Sequence, residues 1–204
     1  MNPYRLYFVT DDKQDLATLK RVVRSAVEGG VTMVQVREKH GDVRTFIERA
    51  QAVKDILQGT NVPLIINDRI DVALAVDADG VHLGQSDMPV AIARKLIGPD
   101  KILGLSIENE QQLKAAHSLP IDYLGLSAIY PTPTKTDTQK YWGIDGLKMA
   151  LSQTTLPIVA IGGINENNVA ALSKTGVHGL ALVSTICYAD DPKTRCQYLL
   201  SLMA

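Results

Sequence analysis

Three polar stretches, each at the end of a short apolar run, carry side chains suited to handling a diphosphate. In Gln35-Val36-Arg37-Glu38-Lys39, the alternation of an extended chain sends Gln35, Arg37 and Lys39 to one side and Val36 and Glu38 to the other. A guanidinium offers a planar fork for two oxygens and an ammonium a mobile point charge. A solvated loop with surface ion pairs is the alternative. Ile65-Ile66-Asn67-Asp68-Arg69 and Val81-His82-Leu83-Gly84-Gln85-Ser86-Asp87 place two carboxylates, Asp68 and Asp87, at the ends of neighbouring runs. Mg²⁺ keeps several waters, so one or two carboxylates plus substrate phosphate oxygens make a typical site. Either aspartate alone reads as a helix N-cap; together, beside Arg37 and Lys39, they read as metal ligands. His82, inside its apolar run, is expected to be a hydrogen-bonded core side chain. Ser106 either touches a ligand or caps the helix that begins near Glu108.

A second group suits a phosphate monoester. The stretch Ile129-Tyr130-Pro131-Thr132-Pro133-Thr134-Lys135-Thr136 is stiffened by two prolines, which also bias their predecessors away from helix. Thr132, Thr134 and Lys135 offer hydroxyls and a cation, and residues Thr136 to Trp142 form a candidate flap. Gly162-Gly163 lets backbone amides approach an anion closely, and the amides near Ser184-Thr185 are expected to open a short helix that attracts negative charge. No Ser-His-Asp set or Cys-His pair is visible for covalent catalysis. Two anion sites imply two phosphorylated substrates, one of them a diphosphate ester whose diphosphate leaves, with catalysis resting on charge stabilisation and positioning.

Positioning these groups requires elements that end near one another. Eight apolar runs serve as strand candidates: Tyr4 to Thr10, Thr32 to Arg37, Pro63 to Asn67, Gly80 to Leu83, Ile102 to Ser106, Tyr123 to Ser127, Ile158 to Ile161 and Gly179 to Val183. Most are apolar throughout, as expected for strands covered on both faces. Between them Leu16 to Glu28, Arg44 to Leu57, Val90 to Ile97, Glu110 to Ala116 and Asn167 to Ser173 show helical spacing. Gly29-Gly30, Gly98 and Gly176 stand where left-handed C-caps would return the chain to the next strand. Eight such units without GxGxxG after the first run favour a single α/β domain over 1–204, a (β/α)8 TIM barrel, rather than an open doubly wound sheet. In that fold chemistry gathers at the C-terminal ends of the strands, and a phosphate often sits after strands seven and eight.

The charge balance of 21 Lys+Arg against 22 Asp+Glu, net -1, offers no basic excess for nucleic acid or an anionic membrane. No run of eighteen apolar residues or export-type leader is seen, and Cys187 and Cys196 lack metal-ligand spacing, so a cytoplasmic protein with reduced thiols is expected. A homo-oligomer is compatible with all of this.

The motifs VQVREK, IINDR, VHLGQSD, GLS, YPTPTK, AIGGI and LVS, in this order over nearly the whole chain, closely resemble those of the thiamine phosphate synthases. The resemblance implies transfer of an aminopyrimidine methyl group from its diphosphate to the nitrogen of a thiazole phosphate through an ionising pathway, giving thiamine phosphate and diphosphate. It implies that Gln35, Arg37, Lys39, Asn67, Ser106 and Lys135 surround the pyrimidine diphosphate, with Arg37, Lys39, Ser106 and Lys135 catalytic. It further places Asp68 and Asp87 on Mg²⁺, and Thr132, Thr134, Gly163, Val183 and Ser184 around the thiazole phosphate. Two alternatives share these features in part: the related thiazole tautomerases, which need no metal site, and a non-catalytic sensor of thiamine phosphate. The joint presence of Arg37, Lys39, Asp68, Asp87 and Lys135 argues for the synthase.

Overall fold

The computed structural model describes residues 2–132 and 141–203. Eight parallel strands, β1 (Leu6–Val9), β2 (Met33–Val36), β3 (Leu64–Asn67), β4 (Gly80–Leu83), β5 (Ile102–Ile107), β6 (Tyr123–Ser127), β7 (Ile158–Ile161) and β8 (Gly179–Leu182), follow one another around a closed barrel in which β8 pairs back onto β1. The helices are α1 (Leu16–Glu28), α2 (Val43–Leu57), α3 (Ile70–Ala75), α4 (Val90–Ile97), α5 (Glu110–Ala116), α6 (Gly143–Gln153), α7 (Val169–Ser173), α8 (Ser184–Cys187) and α9 (Pro192–Leu202). The architecture is a (β/α)8 TIM barrel. Among the described residues no helix is long and apolar enough to cross a membrane.

Each strand divides its residues between two cores. Leu6 and Phe8 of β1, Val34 and Val36 of β2, Val81 and Leu83 of β4 and Leu103, Leu105 and Ile107 of β5 point outward into one large apolar layer beneath the helices. The alternate residues point into the barrel, where Tyr7, Val9, Met33, Ile65, Tyr123, Val159 and Ala181 form a separate, smaller cluster. The strands are therefore not uniform, as the apolar reading of them suggested. Outward positions are apolar and mostly branched aliphatics, whereas the inward set turns polar or small: Gln35, Asn67, His82, Gly104, Ser106, Gly125 and Ser127. Helix spacing packs the outer layer, and an Asx cap begins several helices: Asp15 accepts from the Thr18 amide at 2.7 Å, Asp42 from Thr45 at 2.9 Å and Asn109 from Gln112 at 3.0 Å.

Several strands are shorter than their apolar runs, because the end residues leave the ladder while keeping single bonds to it. Thr10, outside β1, still donates its amide to the Gln35 carbonyl at 2.9 Å. α7 begins two residues later than the helical spacing suggested, since Asn167 and Asn168 are spent on turn bonds around Asn165. Gly30, Gly98 and Gly176 take positive φ, but Gly29 stays in the right-handed region, and Gly98 at φ 82°, ψ 178° lies in a glycine-only region outside the left-handed helical cap conformation. Cys187 and Cys196 are buried free thiols, both pushed up to about 12 chiefly by burial.

One ion pair fixes the segment after β2. Glu38 turns away from the barrel mouth and accepts from Arg49 Nε of α2 at 2.7 Å, both side chains less than a tenth exposed. Arg49 Nη1 also donates to the Gln14 carbonyl at 2.8 Å. Burial pushes the Glu38 carboxyl above its usual range, and Arg49 pulls it back. Because neighbours in an extended chain face opposite ways, anchoring Glu38 directs Arg37 and Lys39 into the mouth. Replacing Arg49 with alanine would strand a buried carboxylate, so Arg49→Ala is expected to lower the unfolding free energy in urea by about 3 kcal/mol. A loss below about 1 kcal/mol would mean that the pair is not structural.

Candidate active site

The mouth at the C-terminal ends of the strands opens into a cavity of about 770 Å³. Gln35, Arg37, Lys39, Asn67, Asp68, Asp87 and Ser106 line one side of it. Lys39 Nζ pairs with Asp68 Oδ2. The Lys39 amide donates to Asp12 Oδ2 at 3.0 Å and the Arg37 amide to Thr10 Oγ1 at 3.1 Å, so side chains beyond β1 hold the backbone of both cations. Asp68 occupies a left-handed conformation, φ 63°, with its amide donating to the His82 carbonyl at 2.8 Å. That region is uncommon outside glycine and marks a position over-determined by its surroundings.

Neither aspartate caps a helix. The residues preceding α3 and α4 are Arg69 and Pro89, without side-chain caps, and Asp87 Oδ2 instead accepts from the Gly84 amide at 2.7 Å, closing its own loop. The two carboxyls are near enough to interact. Burial pushes the Asp87 carboxyl above its usual range, and the neighbouring Asp68 adds to that push, against the Gly84 amide and Lys39. Two neighbouring carboxyls with the single Lys39 ammonium beside them offer the paired hard oxygens that fit Mg²⁺. Among the described residues no cluster of three or more metal-ligating side chains exists, so further ligands would have to come from substrate and water.

The opposite side is built from backbone. Gly162 and Gly163, at φ 101° and 67°, turn sharply after β7, and a Cβ on Gly163 would lie 2.6 Å from the Pro131 carbonyl oxygen. Asn168 Nδ2 donates to the Gly163 carbonyl at 2.9 Å, and Thr185 Oγ1 to the Ile164 carbonyl at 2.9 Å, which ties the loop after β7 to the start of α8. Thr132, Gly163, Val183 and Ser184 line this side of the same cavity. The expected short helix at Ser184 is α8.

Residues 6–186 match the family described as thiamine monophosphate synthase. The chain belongs to the thiamine monophosphate synthase family. Among its relatives is the thiamine-phosphate synthase of Vibrio campbellii, 81% identical over 203 residues and covering all of both chains. That of Albidiferax ferrireducens is 52% identical over 191 residues, 92% of this chain and 86% of the relative. The solved thiamine phosphate pyrophosphorylase of Pyrococcus furiosus superposes with a TM-score of 0.88 at 35% identity, covering 99% of this chain and 96% of that one.

For this family member the two anion groups expected from the sequence lie on opposite sides of one cavity. Thr134 and Lys135, with most of the candidate flap, lie outside the described residues. The end of that stretch is anchored: Trp142 donates its amide to the Ala128 carbonyl at 3.0 Å and Nε1 to the Ser127 carbonyl at 3.2 Å. Ser106 does not cap α5, a role taken by Asn109; its Oγ meets His82 Nε2 at 2.9 Å. His82 is hydrogen-bonded as anticipated, yet it stands on the cavity wall rather than in the aliphatic core. Tyr7, Tyr123, Gln85 and Glu108 also line the cavity and escaped the sequence reading. Applying strict alternation to β1, β4 and β6 would have found Tyr7, His82 and Tyr123 together.

The glycine turn after β7 is testable apart from activity. Gly163→Ala combines a positive φ with a clash against the loop after β6, so a stability loss of roughly 2 kcal/mol, near 5 °C in Tm, is expected. An unchanged Tm in thermal unfolding would show that the turn does not depend on glycine.

Proposed function

We propose that this family member joins an aminopyrimidine methyl diphosphate to the ring nitrogen of a thiazole phosphate, forming thiamine phosphate and releasing diphosphate. As a member of the family it is a transferase of thiamine biosynthesis. The observation that carries the finer reading is the division of one cavity into a charged side, with Arg37, Lys39, Asp68 and Asp87, and a backbone side around Gly163 and Ser184. That division matches substrates that each carry an anionic group and differ in which one loses it.

On the charged side Arg37 and Lys39 hold the diphosphate oxygens, and Lys135 is assigned beside them. As the bond from the methylene carbon to the diphosphate oxygen lengthens, negative charge grows on the leaving group. Fixed cations then stabilise the transition state more than the ground state. Asp68 and Asp87 would hold Mg²⁺, which when bound supplies charge neutralisation to the diphosphate. Gln35, Asn67 and Ser106 orient the pyrimidine, whose electron-rich ring stabilises the cationic methylene left behind. Thr132, Thr134, Gly163, Val183 and Ser184 hold the thiazole phosphate so that its nitrogen faces that carbon, which makes the second step effectively unimolecular. We assign the whole chain, 1–204, to one catalytic domain working in the cytoplasm on these two small molecules.

The direct test mixes the purified protein with both substrates and Mg²⁺ and follows thiamine phosphate and diphosphate together, with EDTA as control. Equimolar, metal-dependent formation of both is expected; binding of the thiazole phosphate without turnover would overturn the reading. Asp87→Asn is expected to reduce turnover at least about tenfold and raise the Mg²⁺ concentration needed for half-maximal rate, in a protein with wild-type circular dichroism. An unaltered magnesium titration would remove Asp87 from the ligand set. Ser184→Asp puts a negative charge in the phosphate cup, and calorimetry should show selective loss of thiazole phosphate affinity with the pyrimidine diphosphate still bound.

A further inference from the structure

Across the floor of the cavity runs an unbroken line of hydrogen bonds joining two of the pyrimidine-side residues. Gln35 Nε2 donates to Tyr7 Oη at 2.6 Å, Tyr7 Oη lies 2.9 Å from Tyr123 Oη, Tyr123 Oη lies 2.8 Å from His82 Nδ1, and His82 Nε2 lies 2.9 Å from Ser106 Oγ. Five side chains from β2, β1, β6, β4 and β5 take part. The polarity of the line follows from its first member together with the burial of Tyr7, whose hydroxyl proton would be left without a partner if the line ran the other way. An amide nitrogen only donates, so Tyr7 accepts from Gln35; its own proton, buried with the ring, has Tyr123 as its partner in this line, and Tyr123, having accepted it, sends its own to His82 Nδ1. The imidazole proton then sits on Nε2 and goes to Ser106 Oγ. The serine keeps its hydroxyl proton for whatever lies in the cavity.

We infer that His82 and Tyr123 are positioning residues, parts of a one-way relay from Gln35 that fixes the Ser106 hydroxyl as a proton donor to the substrate ring. This rests on the assignment of Gln35 and Ser106 to the pyrimidine. A ring nitrogen offers a lone pair; a relay of reversed polarity would set the serine lone pair against it. Gln35 and Ser106 are thereby coupled across the barrel through three intermediates. Burial of Tyr7 and Tyr123, at 2% and 0% exposure, pushes both phenols far up, so both keep the protons the relay needs.

A second observation shows that the imidazole seat is built into the neighbouring strands. β5 and β6 carry the same Leu-Gly-Leu-Ser sequence, at 103–106 and 124–127, and both glycines face His82. A Cβ on Gly125 would lie 2.8 Å from His82 Cε1; one on Gly104 would lie 2.5 Å from His82 Nδ1 and run into the Tyr123 ring. The Tyr123 ring in turn packs on His82, with centroids 5.4 Å apart, and edge-on to Tyr7 at 6.1 Å. The strands have given up two side chains to seat one imidazole in one orientation.

The test is a double-mutant cycle on Ser106→Ala and Tyr123→Phe, reading affinity for the pyrimidine diphosphate in Mg²⁺ by calorimetry, with thiazole phosphate as a second ligand. Tyr123→Phe keeps the ring and removes one link. It is expected to weaken the pyrimidine diphosphate about fivefold, leave thiazole phosphate affinity unchanged, and have no further effect once Ser106 is alanine. Tyr7→Phe should give the same pattern without touching His82, which covers the case of poor folding in the first variant. Additive losses, or equal losses for both ligands, would overturn the relay. If Ser106→Ala alone leaves pyrimidine diphosphate binding intact, the assignment of Ser106 fails and the relay with it.

Discussion

A closed barrel of short strands allows no residue to avoid choosing a side. With β8 paired to β1, every second residue of each strand is committed to an interior that water enters only at the mouth, and a polar group there has other inward groups or a ligand in the cavity as its partners. Part of the interior is filled by apolar side chains, Met33, Ile65, Val159 and Ala181. Beside them the requirement is met by the mutual bonding of Gln35, Tyr7, Tyr123, His82 and Ser106. At the rim, Lys39 and Asp68 satisfy one another until a ligand intervenes. Apolar filling, mutually bonded polar groups and a charged rim thus share one interior, and which residues enter it is written into each strand's alternation.

The outer layer has a separate task, which is to stop the rim from moving. The Arg49–Glu38 pair ties the segment after β2 to α2, and the Thr185–Ile164 bond ties the loop after β7 to α8. Charged groups on flexible loops would relax toward whatever ligand form they meet. Held from behind, they favour the charge distribution they were placed for, which is the condition for electrostatic catalysis.

Much of this was legible in the sequence. β4, β6 and β7 and helices α1, α4 and α5 have the bounds that period and propensity gave them, because apolar runs there begin and end on residues that the ladder or the cap also selects. The helices that escaped notice each have a physical reason. α3 is too short for a period to show, and α6 opens on Gly143 and contains Gly146, which argue against helix. α9 buries only Pro192, Cys196 and Leu199, although Asp191 followed by proline is a recognisable start. Most of the polar residues that line the mouth of the cavity were legible by type and by their place at strand ends. The aromatic floor was not, because Tyr7 and Tyr123 read as ordinary core residues unless each strand is divided into its two faces, and because a relay of hydrogen bonds between five strands leaves no mark in any one of them.

The left-handed backbone at Asp68 has a consequence for how this position can vary. Residues that adopt φ near 63° at little cost are glycine, asparagine and aspartate. Of the substitutions that preserve the backbone, none preserves the negative charge. Glutamate, which does preserve it, brings a longer side chain and a poorer fit to the left-handed region. Aspartate at 68 therefore has no neutral neighbour in sequence space, and lineages free to drift elsewhere on the rim would be held at this one position by geometry and charge acting together.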